Sequence, residues 1–183
     1  SPPTVGTPIE VRCDLLDQHG NRVAPPSEPE TRLVYAPSEK FEKNDADELV
    51  PVETGSARVA CAAPSLSLVD DSPATFDLKA GPPHTVRTTL DANKVSAGTS
   101  VETSCRVFDR YDNRVERSDP SVRVDAMGNG IEVDGRTVTI EKADIYSVSC
   151  HLPEASRTVA APLEVTPGPA ASIALTKKKK KSA

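Results

Sequence analysis

The chain has 183 residues, a formal net charge of −5, 17 Pro, 9 Gly, four Cys, one Met and no Trp. Its apolar set is skewed, with 20 Val, 5 Ile and 15 Thr against 11 Leu; β-branched side chains lose χ1 freedom in a helix and suit a pleated surface, so an all-helical protein is excluded. No run reaches the roughly 20 apolar residues of a membrane-spanning helix, no charged-then-apolar leader is visible, and the scarcity of Val, Leu, Ile and Phe predicts a lean core helped by cross-links.

Taken in chain order, the elements repeat. Gly6-Thr7 through Asn21-Arg22-Val23 lies over Gly98-Thr99 through Asn113-Arg114-Val115 at an offset of 92, with eight of 18 positions identical. Ile9, Val11, Cys13 and Leu15 alternate with polar residues, which predicts a strand with one buried face. Pro25, Pro26, Pro29 and Pro37 fall after it, where a missing N–H does least harm. Ser38–Glu48 reads as a long polar insert of the first copy. Ala57, Val59 and Cys61 alternate again and match Tyr146, Val148 and Cys150 at an offset of 89. Phe76–Pro82 lies over Leu163–Pro169 at 87, and the shrinking offsets are those of small loop deletions between aligned strands.

Thr85–Leu90 then opens the second copy as a strand, followed by the inward-facing series Val101, Thr103, Cys105 and Val107. Ile131–Ile140 is two short runs around Asp134-Gly135, a strong hairpin signal. Many short strands with frequent turns, in modules of about 90 residues, point to β-sandwiches. The register predicts one module over 1–80 that lacks its first strand, a second over 84–167, and a third module or basic tail beginning over 172–183, where Ser182-Ala183 matches Ser96-Ala97. The junctions at Gly81-Pro82 and Gly168-Pro169 hold φ through proline, so semi-rigid links between end-to-end modules are expected.

Each copy carries two cysteines, 48 residues apart in the first and 45 in the second, on the inward phase of alternating strands. Buried free thiols are one reading. Zinc lacks a Cys-x-x-Cys or His pair to support it. Cross-sheet disulfides Cys13–Cys61 and Cys105–Cys150 fit best; each would constrain the unfolded chain by about 4 kcal/mol in the loop-entropy account. Disulfides also imply an oxidising compartment, secreted, periplasmic or cell-surface.

A cysteine pair about 45–50 residues apart on two strands resembles the immunoglobulin fold. The Asp-x-x-Gly/Asp-Asn-x-Val turns at Asp17–Val23 and Asp109–Val115, and the Gly-Pro junction before a new strand, go further. Together they resemble bacterial immunoglobulin-like (Big-like) repeat modules of the invasin/intimin type, strung as beads in surface adhesins. The resemblance implies an all-β chain of tandem immunoglobulin-like β-sandwiches, each with one inter-sheet disulfide. The chain departs from the immunoglobulin pattern in having no Trp to pack on the disulfide, and from most such bacterial modules in having the cysteine pair.

Chemistry is hard to find. His19 sits in a turn, His84 in a junction and His151 beside Cys150, and none lies near a nucleophile elbow. The acidic groups Asp70-Asp71 and Asp45/Asp47/Glu48 read as solvated loop charge. Asp109, Asp112, Asn113, Glu116 and Asp119 could offer hard oxygens to calcium. Asp and Asn also close tight turns with their side chains, and Gly20 stands where the second copy has Asp112. Backbone geometry is therefore the reading for Asp17, Gly20, Asn21, Asp109 and Asn113, with no metal and no cofactor expected.

The Lys177–Lys181 run suits an anionic surface or an exposed polar loop. Without those lysines the body is more acidic still, which argues against nucleic acid. The sequence thus predicts a non-catalytic extracellular spacer of a larger surface or fibre protein, partnered by neighbouring modules of the same chain. The alternatives are a module that binds a protein or glycan receptor, with Ser38–Glu48 as its surface, and an accessory domain of a secreted enzyme.

Overall fold

The structure is a computed structural model and describes residues 2–23, 30–116, 119–125 and 130–173. The lysine run, Pro25, Pro26, Pro29 and Ser182-Ala183 lie outside the described residues, as does most of the segment expected to open a third module. Two compact units form. One comprises Ser1–Val86, Arg106–Asp119 and Leu152–Arg157; the other comprises Arg87–Cys105, Pro120–His151 and Thr158–Ala183.

The first unit is built on β1 (Arg32–Ala36), β2 (Phe41–Lys43), β3 (Leu49–Pro51), β4 (Gly55–Ala63), β5 (Leu68–Val69) and β6 (Ala74–Leu78). β4 is the central strand: β1 runs antiparallel to it with Leu33 opposite Cys61, and β6 with Phe76 opposite Ala57. Its alternation puts Ala57 and Val59 inward, against Leu78 of β6 and against Phe41 and Leu49 of the β2–β3 hairpin. The rings of Tyr35 and Phe41 meet edge to face at 5.4 Å between centroids, the arrangement aromatic quadrupoles prefer.

Two expectations change here. Ile9–Leu15 keeps the predicted inward phase, with Ile9 and Val11 packed on the core, yet it forms no strand. It carries one isolated bridge, from Ile9 to Leu49, and a second joins Leu16, just beyond it, to Arg22. A ladder needs a neighbour in register, and alternation alone does not supply one. Ser38–Glu48, read as an insert, contains the whole of β2 and the turn of the β2–β3 hairpin.

The remaining strands are β7 (Thr85–Leu90), β8 (Lys94–Ser96), β9 (Ser100–Phe108), β10 (Ser121–Val124), β11 (Ile131–Asp134), β12 (Thr137–Ile140), β13 (Asp144–His151), β14 (Arg157–Val159) and β15 (Ala161–Thr166), which make up the second unit apart from the first two residues of β7, the last three of β9 and the first of β14. One sheet has the order β11-β12-β9-β7-β14 and the other β10-β13-β15-β8. Set β14 and β8 aside and number the seven others in chain order. One sheet then holds the first, second, fifth and fourth strands, and the other the third, sixth and seventh. That is the strand order of an immunoglobulin-type sandwich. Its edges are short: β8, three residues parallel to β15, carries Lys94 paired to Glu164 at 2.7 Å; β14 is fully exposed; β11 carries exposed Glu132 and Asp134; and four-residue β10 carries exposed Arg123.

The core between these sheets is formed by Val101, Val138, Ile140, Val148, Leu163 and their neighbours, with Cys105 packed against it. Cys105 on β9 and Cys150 on β13 join the two sheets, with Cα atoms 5.7 Å apart. The hairpin at Asp134-Gly135 forms with Asp134 opposite Thr137. Its two central residues are therefore Gly135 and Arg136, and Gly135 supplies the positive φ of +57° that such a tight turn needs at its first position. Tyr146 is buried and its hydroxyl donates to the Lys142 carbonyl at 3.0 Å. This resembles the tyrosine corner of immunoglobulin sandwiches, set four residues before the cysteine instead of two. Thr103 is the one imperfect core position among the described residues, its buried hydroxyl having no hydrogen-bond partner.

Candidate functional site

The polar residues singled out in the sequence are gathered into tight turns of one design. In the first, the Asp17 carboxylate Oδ1 accepts from the N–H groups of His19 and Asn21, at 2.8 and 2.9 Å. The Asp17 N–H donates to the Asn21 carbonyl, and Gly20 takes a left-handed φ of +81°. In the second, Asp109 Oδ1 accepts from Tyr111 and Asn113 N–H, both at 2.9 Å, and Asp112 takes φ +70°. Aspartate at the first position replaces solvent for two backbone donors, and the fourth position must turn left-handed. Gly and Asp both accomplish this, Gly without steric cost and Asp as one of the side chains that tolerate it.

A third turn of the same design was not apparent in the sequence. Asn44 Oδ1 accepts from Ala46 and Glu48 N–H at 3.0 and 2.9 Å, and Asp47 is left-handed at φ +61°. It closes the β2–β3 hairpin. Asn44 followed by two aspartates, with no glycine, reads as charge; the signal was the Asn five residues before the hydrophobic pair Leu49-Val50.

The two matched turns differ in their surroundings. Asp17 and Asn21 are exposed. Asp109 is 2% and Asn113 9% exposed. Within the first unit, Gly81 N–H donates to Asp109 Oδ2 at 2.9 Å, Asn113 Nδ2 donates to the Val52 carbonyl at 2.9 Å, and Thr54 N–H donates to Asn113 Oδ1 at 3.1 Å. Gly81 is required at this place: a Cβ there would meet the Val5 carbonyl at 2.7 Å. Exposed Asp17 has its pKa held below the ordinary carboxylate value, chiefly by the Asn21 side-chain amide and then by the Asn21 and His19 N–H groups.

The calcium candidates do not converge. Both Asp109 oxygens accept N–H bonds, Asp112 sets the turn, and Glu116 and Asp119 stand on exposed chain beyond it. Among the described residues no three His, Cys, Asp or Glu side chains come together as a cation site. All four cysteines are paired, Cys13 with Cys61 and Cys105 with Cys150. His84 Nδ1 lies 3.1 Å from Ser156 Oγ at the surface. His19 accompanies Gln18 in the exposed turn, and His151 ends β13. Among the described residues no helix is long and apolar enough to cross a membrane.

No family model matches the sequence, and no curated protein does. Solved structures with a similar fold include FdeC, an Escherichia coli adhesin, at 17% identity and a TM-score of 0.47, covering 82% of this chain and 56% of that one. InvD of Yersinia pseudotuberculosis is 13% identical with a TM-score of 0.41, covering 90% and 54%. Invasin, a bacterial integrin-binding protein, is 9% identical with a TM-score of 0.35, covering 83% and 34%. The chain thus spans about half the length of the first two, and at these TM-scores no ligand or activity carries over from them.

Proposed function

We propose that this chain is a run of non-catalytic extracellular modules, repeated over 1–80 and 84–167, that serve as spacers in a larger surface or fibre protein whose task is adhesion. The observation that carries this reading is the use made of the polar residues. Asp109 and Asn113, the residues best equipped to hold a ligand, have their carboxylate and amide bonded to the chain's own backbone, 2.9 Å from Gly81 N and from the Val52 carbonyl. Two disulfides in modules with small cores suit a secreted or cell-surface setting, where such cross-links persist.

A second reading, recognition of a protein or glycan receptor, has one observation in its favour: the β2–β3 hairpin holds its turn with its own side chains while Asp45, Asp47 and Glu48 stay exposed. The test is binding of the purified chain to arrays of glycans and extracellular proteins. A spacer gives no saturable binding. Saturable binding that is lost on replacing Asp45, Asp47 and Glu48 by Ser overturns the spacer reading in favour of recognition.

A further inference from the structure

Within the second unit, the edge of β13 beyond β15 carries a backbone donor that no strand reaches. Ser147 turns its N–H and its carbonyl toward β10: the N–H donates to the Asp125 carboxylate at 2.9 Å, and the carbonyl accepts from the Asp125 N–H at 3.0 Å. Successive residues of an antiparallel strand face opposite edges, so Cys150, three residues on, faces the β15 edge. The β13–β15 ladder stops where Val148 stands opposite Ala161. Continued two residues further, it would set Val159 opposite Cys150, but Val159 lies in β14, which belongs to the other sheet. Cys150 is fully buried, so water does not reach its N–H either, and a buried backbone donor needs an acceptor.

Thr88 supplies the acceptor. Its side chain reaches from β7 across the sandwich, and Oγ1 accepts from the Cys150 N–H at 2.8 Å. β7 lies beside β9 in one sheet, and β9 carries Cys105. One hydrogen bond therefore ties the strand of Cys150 to the neighbour of the strand of Cys105, at the residue that forms the bridge. A second buried threonine, Thr103, stands on β9 two residues from Cys105, and its hydroxyl has no hydrogen-bond partner. The two threonines match in residue type and burial and differ in this contact.

We propose that Thr88 is a positioning residue for disulfide closure: its hydroxyl holds Cys150 across from Cys105 while both are still thiols, so the fold of the second unit selects the pairing. Four cysteines allow three pairings, and this clasp favours one of them. The oxidant is a low-molecular-weight disulfide. One protein thiolate attacks it, an oxidant thiolate leaves, and a mixed disulfide forms. The other protein thiolate then attacks the protein sulfur of that mixed disulfide; the Cys105–Cys150 bond forms and the second oxidant thiolate leaves. Two protein thiols thereby lose two electrons and two protons, and the oxidant becomes two thiols. Thr88 acts on the second step, by geometry. The proposal does not rest on the spacer reading.

Closure of the reduced full chain by oxidised glutathione tests it, with acid-quenched samples mapped for Cys105–Cys150 and, as an internal reference, for Cys13–Cys61. Thr88→Val should slow closure of Cys105–Cys150 about tenfold, the scale of one buried donor left unpaired, and leave Cys13–Cys61 at its wild-type rate. Thr88→Ser, which keeps an acceptor, should restore the rate. Thr103→Val makes the same exchange of hydroxyl for methyl close to Cys105 and should not slow closure. Val101→Ala loosens the same core without touching the Cys150 N–H and should also close at the wild-type rate. Equal rates in Thr88→Val and wild type overturn the proposal, as does slowing that Thr88→Ser fails to restore. Slowing shared by Thr103→Val or Val101→Ala overturns it too, since the effect then belongs to core packing or to stability and not to the Thr88 hydroxyl.

Discussion

Residues 8–16 and β9 are the same piece of sequence used twice, with different results. Val101, Thr103, Cys105 and Val107 face a sandwich in which β9 has β12 on one side and β7 on the other, and Val101 is 0% exposed. Ile9, Val11, Cys13 and Leu15 keep the same inward phase, yet all four are half-buried, and the segment carries isolated bridges, Ile9 to Leu49 and Leu16 to Arg22, in place of a ladder. Among the described residues the first unit has no counterpart of β7. Side-chain patterning therefore chooses the face, while a strand also needs at least one neighbour whose backbone groups lie in register, as β1 has in β4. The disulfides follow suit: Cys150 is 0% exposed, whereas Cys13 and Cys61 are both partly open to solvent.

The largest expected effect comes from deleting the cross-links one at a time. Loops of 48 and 45 residues predict nearly the same entropic loss, about 4 kcal/mol each. Cys105→Ala with Cys150→Ala should cost more than Cys13→Ala with Cys61→Ala, because only the former also opens space in a closed core. Urea melts of the two double variants check this, and equal midpoint shifts would mean that the two disulfides stabilise only through the unfolded chain. A smaller effect separates the paired core positions. Val101→Ala should lose about 2 kcal/mol and Ile9→Ala about 1, although isoleucine is the larger side chain, since a site that is already half open forfeits less on truncation.

How much of this was legible follows from what each signal reports. Repetition, cysteine spacing and the period-two series at Val59–Cys61 and Tyr146–Cys150 report covalent order and facing, and these carried over to β4, β13 and the disulfides. The hairpin at Asp134-Gly135 was legible because its turn requires a residue with positive φ; its centre lay one residue further on, at Gly135-Arg136. The β2–β3 hairpin escaped notice because Asp47, not glycine, holds the left-handed position. The tyrosine corner escaped because its acceptor, the Lys142 carbonyl, is a backbone atom without a sequence signature. That Arg106–Asp119 belongs to the first unit was also hidden, since it depends on Asn113 meeting Val52 and Thr54 some sixty residues away.

The smallest expected effect concerns the exposed turn. The folded pKa of Asp17 is depressed, so its carboxylate stabilises the turn above the ordinary carboxylate pKa, and that contribution fades as pH falls through the lower folded value. A carboxyl-carbon NMR titration should place the Asp17 midpoint below that of a solvated aspartate, and Asn21→Ala should raise it, because the Asn21 amide is the main cause of the depression. An unchanged midpoint in that variant would assign the depression to the backbone donors alone.

The short, charged margins of the second unit's sheets have a consequence for any protein that places similar sandwiches side by side. Repeats of one ancestry share strand registers, so an open edge on one is a ready template for its neighbour, and mispairing between repeats is the natural route to aggregation. Three-residue β8 with Lys94 tied to Glu164, three-residue β14 opening on Arg157, and β11 with Glu132 and Asp134 present too few bare amides and too much charge to recruit a stray strand. Crowded repeats can then fold beside one another, each pairing within its own sheets.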